Sequence, residues 1–158
     1  MRAIVAGSFD PITVGHLSLI EKGARLFDGV TVLLCENFDK KTTFTVEERL
    51  ELIKASVEGM DNVSVEYHTG WLYDYLNAHD DVLLFKGVRN AVDFDYEKKM
   101  ADFNFEHSGK ETVFVFSEPE LAEVSSTKIR NLLASNGEWK AFIPQNAQKL
   151  VENFYKKI

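Results

Sequence analysis

Five short apolar segments alternate along the chain with longer segments whose apolar residues recur at helical spacing. The apolar segments predict strands at residues 2–6, 30–35, 62–67, 81–85 and 112–116. Helices are predicted at residues 14–27, 45–57, 71–79, 92–107 and 125–135, and from Pro144 to near Tyr155. Strands that alternate with helices form parallel sheets covered on both faces. The pattern therefore predicts an α/β fold with a Rossmann-like open parallel five-stranded sheet and helices on both faces.

Charge and cysteine content limit the function classes open to this chain. It has 158 residues, and we expect residues 1–158 to form a single domain. The formal net charge of −7 argues against non-specific nucleic-acid binding, which needs a basic surface. Cys35 is the only cysteine, which excludes an intrachain disulfide and fits a reducing compartment. Without an apolar run of membrane-spanning length or a signal peptide, we expect a cytoplasmic protein with no membrane or nucleic-acid partner.

The predicted sheet also indicates where a ligand should bind. In open parallel sheets, ligands bind beyond the carboxyl ends of the strands. The informative loops are those that follow the strands, at residues 7–13, 36–44, 68–71, 86–92 and 117–125.

The first of these loops continues into a helix start, in "GSFDPITVGH". Gly7 is expected to end the strand and turn the chain, and Thr13 to cap a helix whose first turn contains Gly15 and His16. First-turn N–H groups lack partners within the helix, so an anion is favoured there. His16 is then placed to donate to a phosphate oxygen. A solvated histidine behind turn-forming glycines is the alternative interpretation of this motif alone.

Hydroxyl and basic side chains occupy three further loops. Ser125, Ser126 and Thr127 open a predicted helix and are followed by Lys128 and Arg130, a set suited to a polyphosphate. Taken singly, these hydroxyls also fit an ordinary helix cap.

The remaining basic residues follow two other strands. Lys86 is expected to end a strand, Gly87 to turn the chain and Arg89 to face the ligand, while Lys40 and Lys41 lie in the loop after the second strand. Each cluster alone is compatible with a solvated surface. Because all four loops lie at one predicted sheet edge of an otherwise acidic chain, an anionic ligand at that edge is the better interpretation. Neither the G-x-G-x-x-G fingerprint nor a P-loop occurs, so phosphates must be bound by another device.

Taken together, the motifs resemble a known family. "GSFDPITVGH" resembles the T-x-G-H form of the H-x-G-H signature of nucleotidylyltransferases, and "VSSTKIR" resembles their second signature. "FKGVRNAVDFDYE", with Lys40 in its loop, is similar to bacterial phosphopantetheine adenylyltransferases. The resemblance covers essentially the whole chain.

The resemblance implies a reversible reaction in coenzyme A synthesis. ATP and 4′-phosphopantetheine would give dephospho-coenzyme A and pyrophosphate, with Mg²⁺ as cofactor, coenzyme A as a possible inhibitor and a homohexamer as the assembly. Because the acceptor phosphate is already a nucleophile at neutral pH, no general base is needed. Direct in-line attack without a covalent enzyme intermediate is therefore expected.

The resemblance also implies roles for individual residues. The implied catalytic residues are His16, Lys40 and Arg89. The implied ATP-binding residues are Ser8, Phe9, His16, Gly87, Val88, Arg89, Glu97, Leu121, Ala122, Glu123, Val124, Ser125, Ser126 and Thr127. The implied acceptor-binding residues are Ser8, Lys40, Leu72, Lys86 and Asn104. No metal ligand is assigned, and Asp10 would at most orient a metal or its own loop.

The chain departs from the family pattern at three places. Lys86 replaces the usual arginine, Ser8 replaces a threonine, and "LAEV" at residues 121–124 lacks the usual aromatic residue. A nicotinate mononucleotide adenylyltransferase is the nearest alternative, although such enzymes usually carry a histidine at the position of Thr13. A non-catalytic sensor of nucleotides or coenzymes is a second alternative, which should have lost His16 or Arg89.

Overall fold

The computed structural model describes residues 1–36 and 38–157. The strands are β1 (Arg2–Gly7), β2 (Gly29–Glu36), β3 (Val63–Thr69), β4 (Val82–Val88) and β5 (Thr112–Phe116). The α-helices are α1 (Val14–Leu26), α2 (Val46–Ser56), α3 (Leu72–Asn77), α4 (Ala91–Ser108), α5 (Ser126–Ala134) and α6 (Gln145–Tyr155). Short 3₁₀ helices, which the sequence did not predict, occupy Pro119–Leu121 and Lys140–Phe142.

The strands form one open parallel sheet in the order β3-β2-β1-β4-β5, as the sequence predicted. β1 pairs with β2 along its whole length, but with β4 only from Arg2 to Ile4. β1 and β4 therefore separate before their carboxyl ends. The strand order also reverses between β1 and β4, and such switch points are where open α/β sheets bind ligands.

Alternate strand residues point into two apolar clusters, one on each face of the sheet. Ala3 and Val5 of β1 belong to the larger cluster, which includes buried side chains of α1, α2, α5 and α6. Ile4 belongs to the smaller cluster, which α3 covers through Tyr75 and Leu76. α4 packs against α3 and β4. The prediction of helices on both faces is therefore confirmed.

The predicted end of the fourth strand was wrong. β4 continues to Val88, because Lys86, Gly87 and Val88 pair with residues 114–116 of β5. Gly87 therefore lies inside a strand rather than in a turn, and the loop that follows begins at Arg89. Hydrogen bonds to the edge strand β5 thus keep the backbone extended through Gly87, the residue that suggested the end of the strand.

The turn after β1 also differs from the prediction. Gly7 remains in the strand, and Phe9 adopts the left-handed backbone conformation with a φ of 44°. The Asp10–Pro11 peptide bond that follows is cis. The chain therefore changes direction at Phe9 and Pro11, although Gly7 was the residue expected to permit it.

None of the described helices combines the length and the apolar character needed to cross a membrane.

Candidate active site

A cleft of about 230 Å³ lies at the carboxyl edge of the sheet, where β1 and β4 separate. The segments that follow β1, β4 and β5 all contribute to it. Its lining residues are Thr13, Gly15, His16, Leu19, Gly87, Arg89, Asp93, Glu97, Ser117, Leu121, Val124, Ser125 and Ser126. The structure therefore brings together three of the loops that the sequence placed at one edge.

His16 lies in the first turn of α1 and forms a reciprocal cap with Thr13. The Thr13 hydroxyl accepts from the His16 backbone N–H at 3.2 Å, and the Thr13 N–H donates to His16 Nδ1 at 3.0 Å. Because Nδ1 accepts from an amide, the proton of a neutral ring must lie on Nε2. The cap therefore fixes the tautomer that presents an N–H donor on the remaining ring nitrogen.

The surroundings of His16 keep its ring neutral. Burial, with a smaller contribution from the positive charge of Arg89, lowers the pKa of His16 to about 4. The ring of Phe9 packs edge-on against it, with 5.0 Å between ring centroids. A neutral ring with Nδ1 occupied and Nε2 protonated donates a hydrogen bond and does not act as a general base.

The start of α5 forms a second polar wall of the cleft. Ser125 caps the helix by accepting from the Lys128 N–H at 3.1 Å, which leaves its hydroxyl proton available to a ligand. The Ser126 hydroxyl donates to the Pro11 carbonyl at 2.7 Å, so its proton is already used. The first N–H groups of α5 have no partner within the helix. These N–H groups and the Ser125 hydroxyl together favour an anion.

The basic residues of the same helix do not join this wall, contrary to the prediction. Arg130 donates to the Asp10 carbonyl at 2.7 Å and to the Thr127 hydroxyl at 3.0 Å. The Lys128 ammonium lies 4.6 Å from the centre of the Phe142 ring. Arg130 therefore braces the loop after β1, and neither cation lines the cleft. Packing of α5 against the rest of the chain set these directions, which the helix-start motif could not reveal.

Two charged pairs stand on the β4 side of the cleft. Arg89 donates its backbone N–H to Asp93 at 3.1 Å and lies 3.5 Å from the same carboxylate through its guanidinium. The Lys86 ammonium lies 2.8 Å from Glu97 Oε2, and about one-fifth of each side chain is exposed, 20% and 22%. The sequence had assigned Lys86 to the acceptor and Glu97 to the nucleotide. Their ion pair places those two expected subsites side by side.

Asp10 is buried, and its carboxylate holds a neighbouring loop in place. Its two carboxylate oxygens accept from the N–H groups of Thr43 and Phe44, both at 2.9 Å. This bond pair fixes the end of the predicted loop 36–44, of which residue 37 lies outside the described residues. Lys40, in the same loop, is exposed and does not line the cleft.

Several other predicted site residues lie near the cleft without lining it. Phe9 and Val88 are buried, and the Ser8 carbonyl accepts from the fully buried Arg49 at 2.9 Å. Arg49 also donates to the Thr45 carbonyl at 3.3 Å, so α2 holds the backbone at Ser8 in place.

The remaining predicted site residues lie outside the cleft lining, on α3, on α4 and beside the start of α5. Leu72 packs against the smaller apolar cluster, and Asn104 is buried on α4, where its amide donates to the Met100 carbonyl at 2.9 Å. Ala122, Glu123 and Thr127 flank the cleft lining without belonging to it.

Sequence reasoning missed Leu19, Asp93 and Ser117 in the cleft and Arg49 behind it. Leu19 follows His16 by three residues on α1. Asp93 lies in the first turn of α4, four residues after Arg89, and Ser117 directly follows β5. These spacings were available signals. Arg49 gave none, because a charged residue on an amphipathic helix is expected at the surface.

The described residues do not form a cage for a divalent cation. No group of three or more His, Cys, Asp or Glu side chains among them is arranged to hold a metal ion. The carboxylate oxygens of Asp10 are occupied by backbone N–H groups, and Asp93 is paired with Arg89. The donor set therefore does not fit a metal ion held by the protein alone.

Comparison with known proteins agrees with this geometry. The cytidylyltransferase-like family model matches residues 4–132. Two bacterial relatives named phosphopantetheine adenylyltransferase are each 40% identical to the chain. The protein of Limosilactobacillus reuteri matches over 95% of this chain and 87% of its own length, and that of Clostridium perfringens over 98% and 93%.

A solved structure shares the fold at greater distance. A bifunctional NMN adenylyltransferase/ADP ribose pyrophosphatase from Francisella tularensis superimposes with a TM-score of 0.72 at 17% identity, covering 99% of this chain and 48% of that one. That likeness concerns the fold alone. Identity over nearly the full length, with the cleft at the switch point, shows that the chain belongs to the phosphopantetheine adenylyltransferase family of cytidylyltransferase-like nucleotidyltransferases.

Proposed function

We propose that this protein transfers AMP from ATP to 4′-phosphopantetheine, giving dephospho-coenzyme A and pyrophosphate. Its relatives carry the name of that activity at 32–40% identity over most of the chain. The reaction joins two anions, so the enzyme must supply positive charge and hydrogen-bond donors where negative charge collects on the α-phosphate.

The observation that carries the proposal is the neutral, tautomer-fixed His16 in a cleft that also contains the start of α5. Two helix N-termini and an Nε2–H donor favour phosphate oxygens from both sides. The Thr13 hydroxyl lies 3.2 Å from His16 Nδ1, but the lone pair of that nitrogen already accepts from the Thr13 N–H, so His16 does not activate this hydroxyl as a nucleophile. This arrangement suits direct in-line attack by the acceptor phosphate without a covalent enzyme intermediate.

Residue roles follow from this geometry as proposals. His16, Ser125 and the first N–H groups of α5 would bind the ATP phosphates, and Arg89 would stabilise the charge that develops on them. Lys86, with Lys40 on the exposed loop, would bind the acceptor phosphate. The apolar side chains of Leu19, Leu121 and Val124 would contact the base.

Mg²⁺ is proposed to enter with ATP, as part of the substrate. A cation bound to the triphosphate needs few protein ligands, because phosphates and water supply most of its coordination. The lack of a three-residue acidic or histidine group among the described residues agrees with that role.

A turnover assay with alternative acceptors tests the proposal. ATP is offered with 4′-phosphopantetheine, nicotinate mononucleotide or nicotinamide mononucleotide, and pyrophosphate release is measured. We expect pyrophosphate release only when 4′-phosphopantetheine is the acceptor. Release only with a mononucleotide would contradict the proposed acceptor, and ATP binding without release with any acceptor would indicate a sensor.

Assembly and location complete the proposal. We propose a homohexamer, supported by exposed apolar side chains on α4 and at the open edge of β5, among them Val92, Tyr96, Phe105 and Phe116. Residues 1–158 would form one domain in the cytoplasm, where the free thiol of Cys35 is kept reduced.

A further inference from the structure

Glu118 joins helix α1 to the segment that follows β5. Its carboxylate accepts from the Ser18 hydroxyl at 2.8 Å and pairs with the Lys22 ammonium at 2.8 Å. Lys22 also donates to the Phe116 carbonyl at 2.9 Å. We call Ser18, Lys22 and Glu118 the Glu118 cluster. None of its members was predicted as a site residue.

The segment held by this cluster forms one wall of the cleft. Ser117, Leu121, Val124 and Ser125 all line the cleft, and Leu121 lies in the 3₁₀ helix directly after Glu118. A smaller cavity lined by Ser18, Lys22 and Glu118 shares Leu19, Gly87 and Leu121 with the main cleft. The Glu118 cluster therefore lies directly behind the wall.

Few other polar contacts fix this wall. Residues 118–124 are bonded among themselves, from Leu121 N–H to the Glu118 carbonyl at 2.9 Å and from Val124 N–H to the Leu121 carbonyl at 3.0 Å. Within the described chain, Glu118 makes the hydrogen bonds and the ion pair that join residues 118–124 to another element. The two ends of the segment are fixed by other bonds, from the Ser117 N–H to the Val88 carbonyl at 3.0 Å and from the Ser126 hydroxyl to the Pro11 carbonyl at 2.7 Å. Between these ends, Glu118 is the side chain that holds the segment against α1.

The charge state of Glu118 is compatible with this role. Hydrogen bonds from Lys22 and Ser18 lower the pKa of Glu118 to about 2, so its carboxylate is ionised at neutral pH. The side chain is 39% exposed. Exposed ion pairs are weak, so an effect on ligand binding should be modest.

We propose that Glu118 is a positioning residue for the nucleotide, which it serves by holding the wall with Leu121 and Val124 at its distance from α1. The inference rests on the proposed function only for the identity of the nucleotide. The apolar side chains of this wall suit a planar base, whereas the donors at His16 and Ser125 suit phosphates. Loss of the cluster should therefore weaken binding of ATP and leave binding of the acceptor unchanged.

A double-mutant cycle tests the proposal. Glu118→Gln keeps the shape of the side chain and removes its charge, Lys22→Met removes the partner, and the double variant removes both. We expect each single variant to raise the Kd of ATP about two- to fivefold, measured by calorimetry. The double variant should show less than the sum of the single effects, because both changes break the same ion pair. Lys22→Met also removes the bond to the Phe116 carbonyl, so its effect should be the larger of the two. Glu120→Gln, an exposed neighbour in the same segment, is the matched control and should bind ATP like the wild type.

The wall also predicts how the kinetic constants divide. The Michaelis constant for ATP should rise in Glu118→Gln and Lys22→Met, while kcat, the Michaelis constant for the acceptor and the melting temperature remain those of the wild type. An unchanged ATP Kd in both variants would overturn the proposal, as would an equal rise in the Michaelis constants for both substrates or additive effects in the double variant. Failure of the wild type to turn over any acceptor would contradict the proposed function instead, and the ATP Kd would still decide the role of Glu118.

Discussion

Lys86 of β4 and Glu97 of α4 form an ion pair at 2.8 Å on one side of the cleft. Glu97 lines the cleft at the switch point, whereas Lys86 lies on β4 outside the lining. Glu97 Oε2 is buried, with no conventional hydrogen bond, so the nearby ammonium is what balances its charge. An anion that attracts Lys86 must therefore compete with Glu97.

We predict that Lys86→Ala weakens binding of the acceptor much more than binding of ATP. Removal of a charge-assisted contact should raise the Michaelis constant for the acceptor, 4′-phosphopantetheine, at least about tenfold. Lys86→Arg should keep activity, because the positive charge is retained and the guanidinium can donate to two phosphate oxygens at once. Steady-state kinetics with each substrate varied in turn provide the measurement. A rise confined to the Michaelis constant for ATP, or no change for either substrate, would show that the acceptor phosphate binds elsewhere.

Local sequence patterns predicted the fold and the sheet edge of the site, but they did not predict side-chain directions. Alternating strands and helices determine a parallel sheet, and parallel strands bring Thr13, Arg89 and Ser125 to the same edge. The directions of Lys128 and Arg130 depend on Phe142 and Asp10, which are distant in sequence or follow an unusual turn. Such contacts arise from tertiary packing, so no spacing within one segment encodes them.

His16→Ala is predicted to reduce turnover with little effect on ATP affinity. Loss of one preorganised donor to the transition state typically lowers kcat by ~10²–10³-fold. Because His16 also completes the α1 cap, the alanine variant should lose roughly 1 kcal/mol of stability. His16→Gln is the matched control, since glutamine at this position can keep the cap. Turnover of His16→Ala within a few-fold of the wild type would remove His16 from the mechanism.

His16 also predicts a pH dependence of stability. The folded-state pKa of about 4 lies below the ordinary value of 6.5, because burial disfavours the charged ring. Below pH 6.5 the unfolded chain binds a proton that the folded chain does not, so stability falls as the pH decreases towards 4. The contribution reaches at most about 1.4 kcal/mol per pH unit. Urea denaturation of the wild type and of His16→Gln at several pH values measures this contribution. The difference in unfolding free energy between the two proteins should change with pH below pH 6.5 and stay constant well above it. A difference that does not change with pH would contradict a His16 ring that stays neutral in the folded chain.

Asp10→Asn is predicted to destabilise the loop that contains Lys40. The carboxylate accepts from the backbone N–H groups of Thr43 and Phe44, and an amide offers only one accepting oxygen. We expect a loss of about 1–3 kcal/mol in the free energy of unfolding, together with weaker binding of the acceptor. Asp80→Asn, at an exposed position, is the control and should change neither quantity. Urea denaturation and steady-state kinetics measure the two effects, and wild-type stability in Asp10→Asn would show that these two bonds do not hold the loop.

The last prediction concerns the exposed apolar side chains of α4 and the β5 edge. Phe105 is 48% exposed and Phe116 78%. Apolar area of this kind is stabilised when a second copy covers it. We expect light scattering to show a homo-oligomer of hexamer size at micromolar concentration, and Phe105→Glu to shift it towards smaller species. Leu26→Glu alters an equally apolar side chain, 65% exposed, at the end of α1 and should leave the assembly intact. A stable monomer in the wild type would refute the hexamer. Equal dissociation by both variants would show that the interface is not specific to α4 and β5.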